Sequence, residues 1–320
     1  MAAKNGNPKV AVLMGGTSSE REVSLRSGAA VARALREAGR KVVEIDLRTE
    51  TGRELDGGGF DAAFIALHGR FGEDGQLQRI LQERGIPYTG SGPEASRLAM
   101  DKVETKRRFK ARHVATPPHH VVVQGESVAL WEQFARALGY PVVLKPRAEG
   151  SSVGVTVHED CATLLDGAAE CFRYGSVGLM EKFISGRELT AGILDGEALP
   201  LVEMKPKSRF FDYRAKYQDP DTKYIVDPPI SEIEKRRVQK AAKDAFAALG
   251  CEGFGRVDLI LTPFCSVHVL EVNTIPGMTE RSLFPKAAAA AGIGFPDLCS
   301  RLVELAFKRR KDAFWAAAML

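Results

Sequence analysis

Gly253-Phe254-Gly255-Arg256-Val257-Asp258 and Leu270-Glu271-Val272-Asn273-Thr274-Ile275-Pro276-Gly277-Met278-Thr279 flank a turn segment, Thr262-Pro263-Phe264-Cys265-Ser266. Both flanks alternate in the manner of strands, so the stretch reads as a β-hairpin. Alternation with a period of two puts Arg256 and Asp258 on one face, and likewise Glu271 and Asn273. The hairpin then gathers two carboxylates, one amide oxygen and one guanidinium. Hard oxygen donors of this kind suit Mg²⁺ or Mn²⁺, ions that ordinarily accompany phosphates. A solvated sheet face with a surface ion pair is the plain alternative. Against it stands Asn-Thr-Ile-Pro-Gly, which ends the second strand in a tight loop beside the carboxylates.

Outward from the hairpin, the chain of 320 residues is too long for one compact core and implies two or three domains. Its 27% charged and 44% hydrophobic residues are ordinary for a soluble enzyme, and the net charge of +4 suits an anionic nucleotide without indicating nucleic acid. No apolar run approaches the roughly 20 residues of a membrane span, and the start lacks the apolar core of a signal peptide. The five cysteines are odd in number and form no Cys-x-x-Cys pair. They read as reduced thiols of a cytoplasmic protein. The histidines, His119-His120 included, have no zinc-ligand spacing.

Val10-Ala11-Val12-Leu13-Met14 is a continuous apolar run, as a buried parallel strand requires. A helix is expected over 22–38, then strands over 41–46, 62–67 and 86–88, with a helix over 77–84. This is βαβ organisation, with functional groups in the loops after the strands. The basic helix over 102–112 is separated by Thr116-Pro117-Pro118 from a middle unit. That unit has strands expected at 121–123, 142–145, 153–157 and 179–183 and a helix near 162–172. The last unit begins near Ser185-Gly186 and closes with a helix over 297–308. Lys145 ends an apolar strand just before Glu149-Gly150-Ser151-Ser152-Val153-Gly154, whose small residues let backbone N–H groups approach phosphate oxygens. No Gly-Lys-Ser/Thr ends this loop, so it is not a Walker motif. Gly15-Gly16 after the first strand lacks the third glycine of a dinucleotide fingerprint.

The hairpin resembles the metal end of ATP-grasp ligases, in the version found in the D-alanine–D-alanine ligase family. Further stretches carry the likeness in the family's order: Val12 through Ser24, Ala66-Leu67-His68-Gly69-Arg70-Phe71-Gly72-Glu73-Asp74-Gly75, Tyr88-Thr89-Gly90-Ser91-Gly92, the Lys145 strand with its loop, and Asp212-Tyr213-Arg214-Ala215-Lys216-Tyr217. Together they span about residues 8–306. The resemblance implies an α/β, three-domain ATP-grasp architecture. Residues 1–96 form a parallel βαβ domain with the first D-alanine site, 97–185 a central subdomain, 186–306 a C-terminal subdomain with metal and catalytic residues, and 307–320 a tail.

The same resemblance implies the chemistry: ATP phosphorylates one D-alanine, and the amine of a second attacks the acylphosphate to give D-alanyl-D-alanine for peptidoglycan precursors. It assigns Asp258, Glu271 and Asn273 to two Mg²⁺ or Mn²⁺ ions, and Arg256 and the Gly277 N–H to the developing oxyanion. Lys102, Lys145 and Lys216 go to the phosphates. Adenine falls to the backbone of Glu181, Lys182 and Ile184, and the ribose to Glu188. Glu20 would hold the first ammonium, linked to Ser151 and Tyr217, with His68 nearby, and Ser282 and Leu283 the second carboxylate. Tyrosine at 217 resembles the dipeptide makers rather than the depsipeptide makers. Arg214 replaces an acidic residue often found in that loop, and Ile275 fills a variable position. A homodimer paired through the N-terminal domain is also implied, with no nucleic-acid or membrane partner. Two rivals stand beside this reading. One is another ATP-grasp carboxylate–amine ligase, against which the Glu20 loop and Lys216-Tyr217 argue. The other is a nucleotide-binding module without chemistry, which would be expected to have lost Arg256, Asp258, Glu271 or Asn273.

Overall fold

The computed structural model describes residues 7–205 and 223–318, with side chains described to residue 309. The first strand, β1 (Lys9–Gly15), is followed by α1 (Arg21–Glu37), β2 (Lys41–Leu47), β3 (Ala62–Ile65) and α2 (Gln76–Glu83). The strands form a parallel sheet in the order β2-β1-β3. Val10 to Leu13 are fully buried, as a strand covered on both faces demands. The strand expected over 86–88 contributes only a parallel bridge between Ala63 and Tyr88, where Pro87 has no N–H to extend the ladder. The chain leaves this unit through α3 (Pro93–Met100) and α4 (Lys102–Ala111). The Asp101 carboxylate caps α4 by accepting from the N–H groups of Val103 and Glu104.

The middle unit comprises β4 (His119–Val123), α5 (Val128–Leu138), β5 (Val142–Pro146), β6 (Thr156–His158), α6 (Leu164–Phe172) and β7 (Val177–Lys182). Its antiparallel sheet has the order β4-β7-β5-β6. The strand expected over 153–157 shrinks to β6 because Ser151, Ser152 and Gly154 have φ of 50°, 59° and 68°. Such left-handed backbone cannot extend a ladder. Gly154 is also required by space, since a Cβ there would lie 2.7 Å from Pro146 Cγ.

The last unit holds β8 (Arg187–Leu194), β9 (Glu197–Ala198), β10 (Val202–Lys205), β11 (Lys223–Val226), α7 (Glu232–Ala248), β12 (Phe254–Leu261), β13 (Val267–Asn273), α8 (Leu283–Ala290) and α9 (Phe295–Ala318). The sheet runs β11-β10-β8-β12-β13, with β9 beside β8, all pairs antiparallel. Ser231 and Glu234 form a reciprocal capping box that starts α7. Leu298, Leu302 and Val303 of α9 share one core with Val31 and Leu35 of α1 and with Phe254 and Phe284, so the last helix joins the first and last units. It continues unbroken past residue 307. The Arg309 guanidinium lies 4.1 Å from the Tyr88 ring centroid and donates to the carbonyls of Tyr88 and Gly90. Among the described residues no helix is long and apolar enough to cross a membrane.

Candidate active site

The β12–β13 hairpin forms as its sequence requires. Arg256 stands opposite Asn273 and Asp258 opposite Glu271, with an irregularity after Asp258. Arg256 grips the Asp258 carboxylate with two bonds of 2.9 and 3.0 Å. The Thr190 hydroxyl on β8 donates to Asp258 Oδ1 at 2.6 Å. Both Thr190 and Asp258 are buried, so these bonds form in a region of low dielectric, where charge-assisted contacts are strong. Asn273 Oδ1 accepts from the Ile275 N–H at 3.0 Å, and this local turn diverts the strand into Pro276-Gly277. Among the described residues no group of three or more His, Cys, Asp or Glu is placed to hold a metal ion. The oxygen set on the hairpin is instead two carboxylates and one amide, a hard donor set that fits a divalent cation carried with phosphates.

Beyond the hairpin, Ser282 occupies the N-cap position of α8, and its hydroxyl, rather than capping the helix, accepts from the Thr279 N–H at 3.2 Å. A Cβ on Gly277 would meet that hydroxyl at 3.0 Å, so Gly277 lets this loop close on the start of α8. Leu283 is the first residue of the helix. The Met278 N–H reaches back to the Ser27 hydroxyl on α1 at 3.4 Å.

Glu20 lies immediately before α1, and the Ser151 hydroxyl donates to its carboxylate across 131 positions of sequence. Two glycine turns press against it: a Cβ at Gly69 would come within 3.0 Å of Glu20 Oε2, and one at Gly150 within 3.4 Å. His68 is 5% exposed. Its Nε2 lies 3.0 Å from the Ser27 hydroxyl and its Nδ1 3.5 Å from Glu73 Oε1. Burial pushes the Glu73 carboxyl above its ordinary value, His68 opposes the shift, and the nearby Glu20 adds to it.

On the middle unit, Lys145 is ion-paired with Glu181 at 2.5 Å, and Glu181 with the buried Lys106 at 2.6 Å. Burial alone would raise the Glu181 carboxyl, but the two ammonium groups outweigh it and hold the carboxyl at about 2. Lys102 donates to the Glu149 carbonyl and so ties α4 to the glycine-rich loop. The N–H groups of Lys182 and Phe183 donate to Pro118 and Pro141. No hydrogen bond within the protein engages the Ile184 N–H among the described residues. Burial alone would lower the Lys145 ammonium, but Glu181, then Glu271 and Glu188 on β8, together raise it above its ordinary value. Lys182 is exposed and takes no part in these pairs. Lys216, Tyr217 and Arg214 lie outside the described residues.

The fold thus joins Glu20 to Ser151, Arg256 to Asp258, Lys145 to Glu181, and Gly277 to Ser282. Sequence reasoning missed Lys106, Thr190, Ser27 and Glu73. Lys106 falls one turn after Lys102 on the same helix face, which is the one signal that could have found it.

Comparison with known proteins agrees over nearly the whole chain. A family profile described as the D-ala D-ala ligase C-terminus matches residues 109–304, and one described as the D-ala D-ala ligase N-terminus matches residues 47–91. The D-alanine–D-alanine ligase of Syntrophotalea carbinolica is 45% identical over 302 residues, covering 94% of this chain and 97% of that protein. That of Pelotomaculum thermopropionicum is 46% identical over 311 residues, covering 94% and 97%. Among solved structures, the Bacillus anthracis D-alanine–D-alanine ligase complexed with ATP superposes with a TM-score of 0.85 at 33% identity, covering 96% of this chain and 99% of that one.

Proposed function

The chain belongs to the D-alanine–D-alanine ligase family, and from that premise we infer how its ATP-grasp fold joins two D-alanine molecules with ATP as the energy source. A carboxylate does not react readily with an amine at neutral pH. Transfer of the γ-phosphoryl group to the first D-alanine converts its carboxylate oxygen into a leaving group. The amine of the second D-alanine then attacks the acyl carbon, and phosphate departs with that oxygen.

One observation carries the assignment of roles: the Ser151–Glu20 hydrogen bond closes the glycine-rich loop of the middle unit over the first loop of the N-terminal unit. That contact between a loop suited to phosphates and a carboxylate suited to an ammonium group supports a reading in which both substrates meet there. Glu20 would hold the first ammonium group, while Ser151, with Tyr217, shapes the second site. Lys102, Lys145, Lys216 and the N–H groups of the loop would bind the phosphates. The Ile184 N–H offers a donor to adenine, beside the backbone of Glu181 and Lys182, and Glu188 an acceptor to the ribose. Arg256 and the Gly277 N–H are suited to the oxyanion of the tetrahedral intermediate. Ser282 and Leu283, at the N-terminus of α8, suit the carboxylate of the second D-alanine. His68, fixed between Ser27 and Glu73, would border the first substrate. Asp258, Glu271 and Asn273 would hold Mg²⁺ or Mn²⁺, which when bound neutralises the phosphate charge.

The test is product analysis with ATP, Mg²⁺, D-alanine and excess D-lactate across neutral pH. D-alanyl-D-alanine should be the product, with negligible depsipeptide. Chiefly D-alanyl-D-lactate would overturn the reading of the second site, and no product at all the reading of the whole.

A further inference from the structure

None of these steps uses Lys106, yet it is 1% exposed and pairs with Glu181 from the interior side. Its ammonium is ion-paired with Glu181 Oε1 at 2.6 Å and donates to the Thr116 hydroxyl and, at 3.4 Å, to the Leu270 carbonyl. The other Glu181 oxygen is ion-paired with Lys145 at 2.5 Å. The side chains are graded in exposure, 1% for Lys106, 2% for Glu181 and 14% for Lys145, so Lys145 is the outermost. Two lysines share one carboxylate, with Glu271 and Glu188 also acting on the outermost of them, Lys145; burial lowers the Lys106 ammonium from its ordinary value, and Glu181 opposes that shift.

We propose that Lys106 is a positioning residue for the nucleotide: by neutralising Glu181 from the interior, it keeps the charge of the Lys145 ammonium available to the phosphates. The inference rests on the reading of Lys145 as a phosphate contact. Without Lys106, Glu181 and Lys145 form a closed one-to-one pair whose charges cancel. In a buried setting that cancellation is felt strongly, because little solvent screens it. The bond to Leu270, one residue before Glu271, also ties α4 to β13, a purely structural contact. Charge and structure can be separated, because removing the Glu181 charge restores the net charge at Lys145 without restoring any contact of Lys106.

The experiment compares the unmodified chain, Lys106→Met and Lys106→Met/Glu181→Gln. Calorimetry gives ADP affinity, and steady-state assays give KM for ATP and for D-alanine. The glutamine leaves the backbone at residue 181 in place. Lys106→Met should weaken ADP binding about tenfold, the effect of losing one charge-assisted phosphate contact. KM for ATP should rise in parallel while KM for D-alanine holds. The double variant should recover ADP affinity to within about threefold of the unmodified chain, well short of the tenfold loss. Unchanged ADP binding in Lys106→Met overturns the proposal, as does a loss that the second substitution does not recover. If Lys106→Met does not fold, because an anion is stranded in the interior, the double variant alone carries the test against the same limit. An unmodified chain that binds no ADP would refute the ligase reading instead, whatever the variants do.

Discussion

Replacing Thr190 by valine nearly preserves the side-chain shape and deletes one hydroxyl. That hydroxyl donates at 2.6 Å to Asp258 Oδ1, an oxygen that Arg256 Nε also reaches at 2.9 Å. Thr190 is 2% exposed and Asp258 4%, so water cannot readily take the place of the lost donor. A hydrogen bond to a charged group contributes roughly 1.5–3 kcal/mol, and the variant should lose about that much stability. The functional effect is separate. If Asp258 is a metal ligand, Thr190 orients it, and loss of such an outer partner typically weakens metal affinity or activity about 10–100-fold. Thr190→Val should therefore shift the Mg²⁺ dependence of D-alanine-dependent phosphate release to higher concentration, with turnover recovering as Mg²⁺ is raised. Chemical denaturation measures the first effect and a Mg²⁺ titration of the reaction the second. A stability loss of the expected size with an unchanged Mg²⁺ midpoint would refute the link between Thr190, Asp258 and the metal.

Glu271→Gln keeps the shape of the residue opposite Asp258 and removes one negative charge; phosphate release should vanish with thermal stability intact, and near-normal turnover would sink the metal assignment. The Glu181 carboxyl is held at about 2 against an ordinary value of 4.5, so the stability it contributes is complete above about pH 4.5 and is lost as pH falls toward 2. Glu181→Gln should flatten acid unfolding in that window, and superimposable acid-denaturation curves would contradict this. Arg309→Ala removes the stacking on Tyr88 and two bonds to backbone carbonyls; a loss on the order of 1–3 kcal/mol is expected, and unchanged thermal unfolding would show that α9 needs no such anchor.

The hairpin was legible because its signal is local: alternation fixes which side chains share a face, and the short turn fixes their register. The parallel strand β1 announced itself through an unbroken apolar run. The region over 153–157 misled, since apolar residues there suggest a strand while the left-handed backbone of Ser151, Ser152 and Gly154 bends the chain away. Lys106 was hidden for a different reason. In Lys102-Val103-Glu104-Thr105-Lys106-Arg107-Arg108 it reads as one more charge on a solvated helix, and its burial follows from β13 and β7 packing over it, which are remote in sequence. Thr190 and Ser27 likewise matter through contacts made 68 and 251 positions away. Spacing within a motif carries no trace of such partners.

The central claim is that the carboxylate of one D-alanine is phosphorylated before the peptide bond forms. The direct measurement uses D-alanine labelled with ¹⁸O in its carboxylate, together with ATP and Mg²⁺, and examines the released phosphate by ³¹P NMR. Transfer through an acylphosphate moves one carboxylate oxygen into each phosphate formed alongside D-alanyl-D-alanine, so the phosphate should carry a single ¹⁸O. Dipeptide accompanied by unlabelled phosphate would contradict the account.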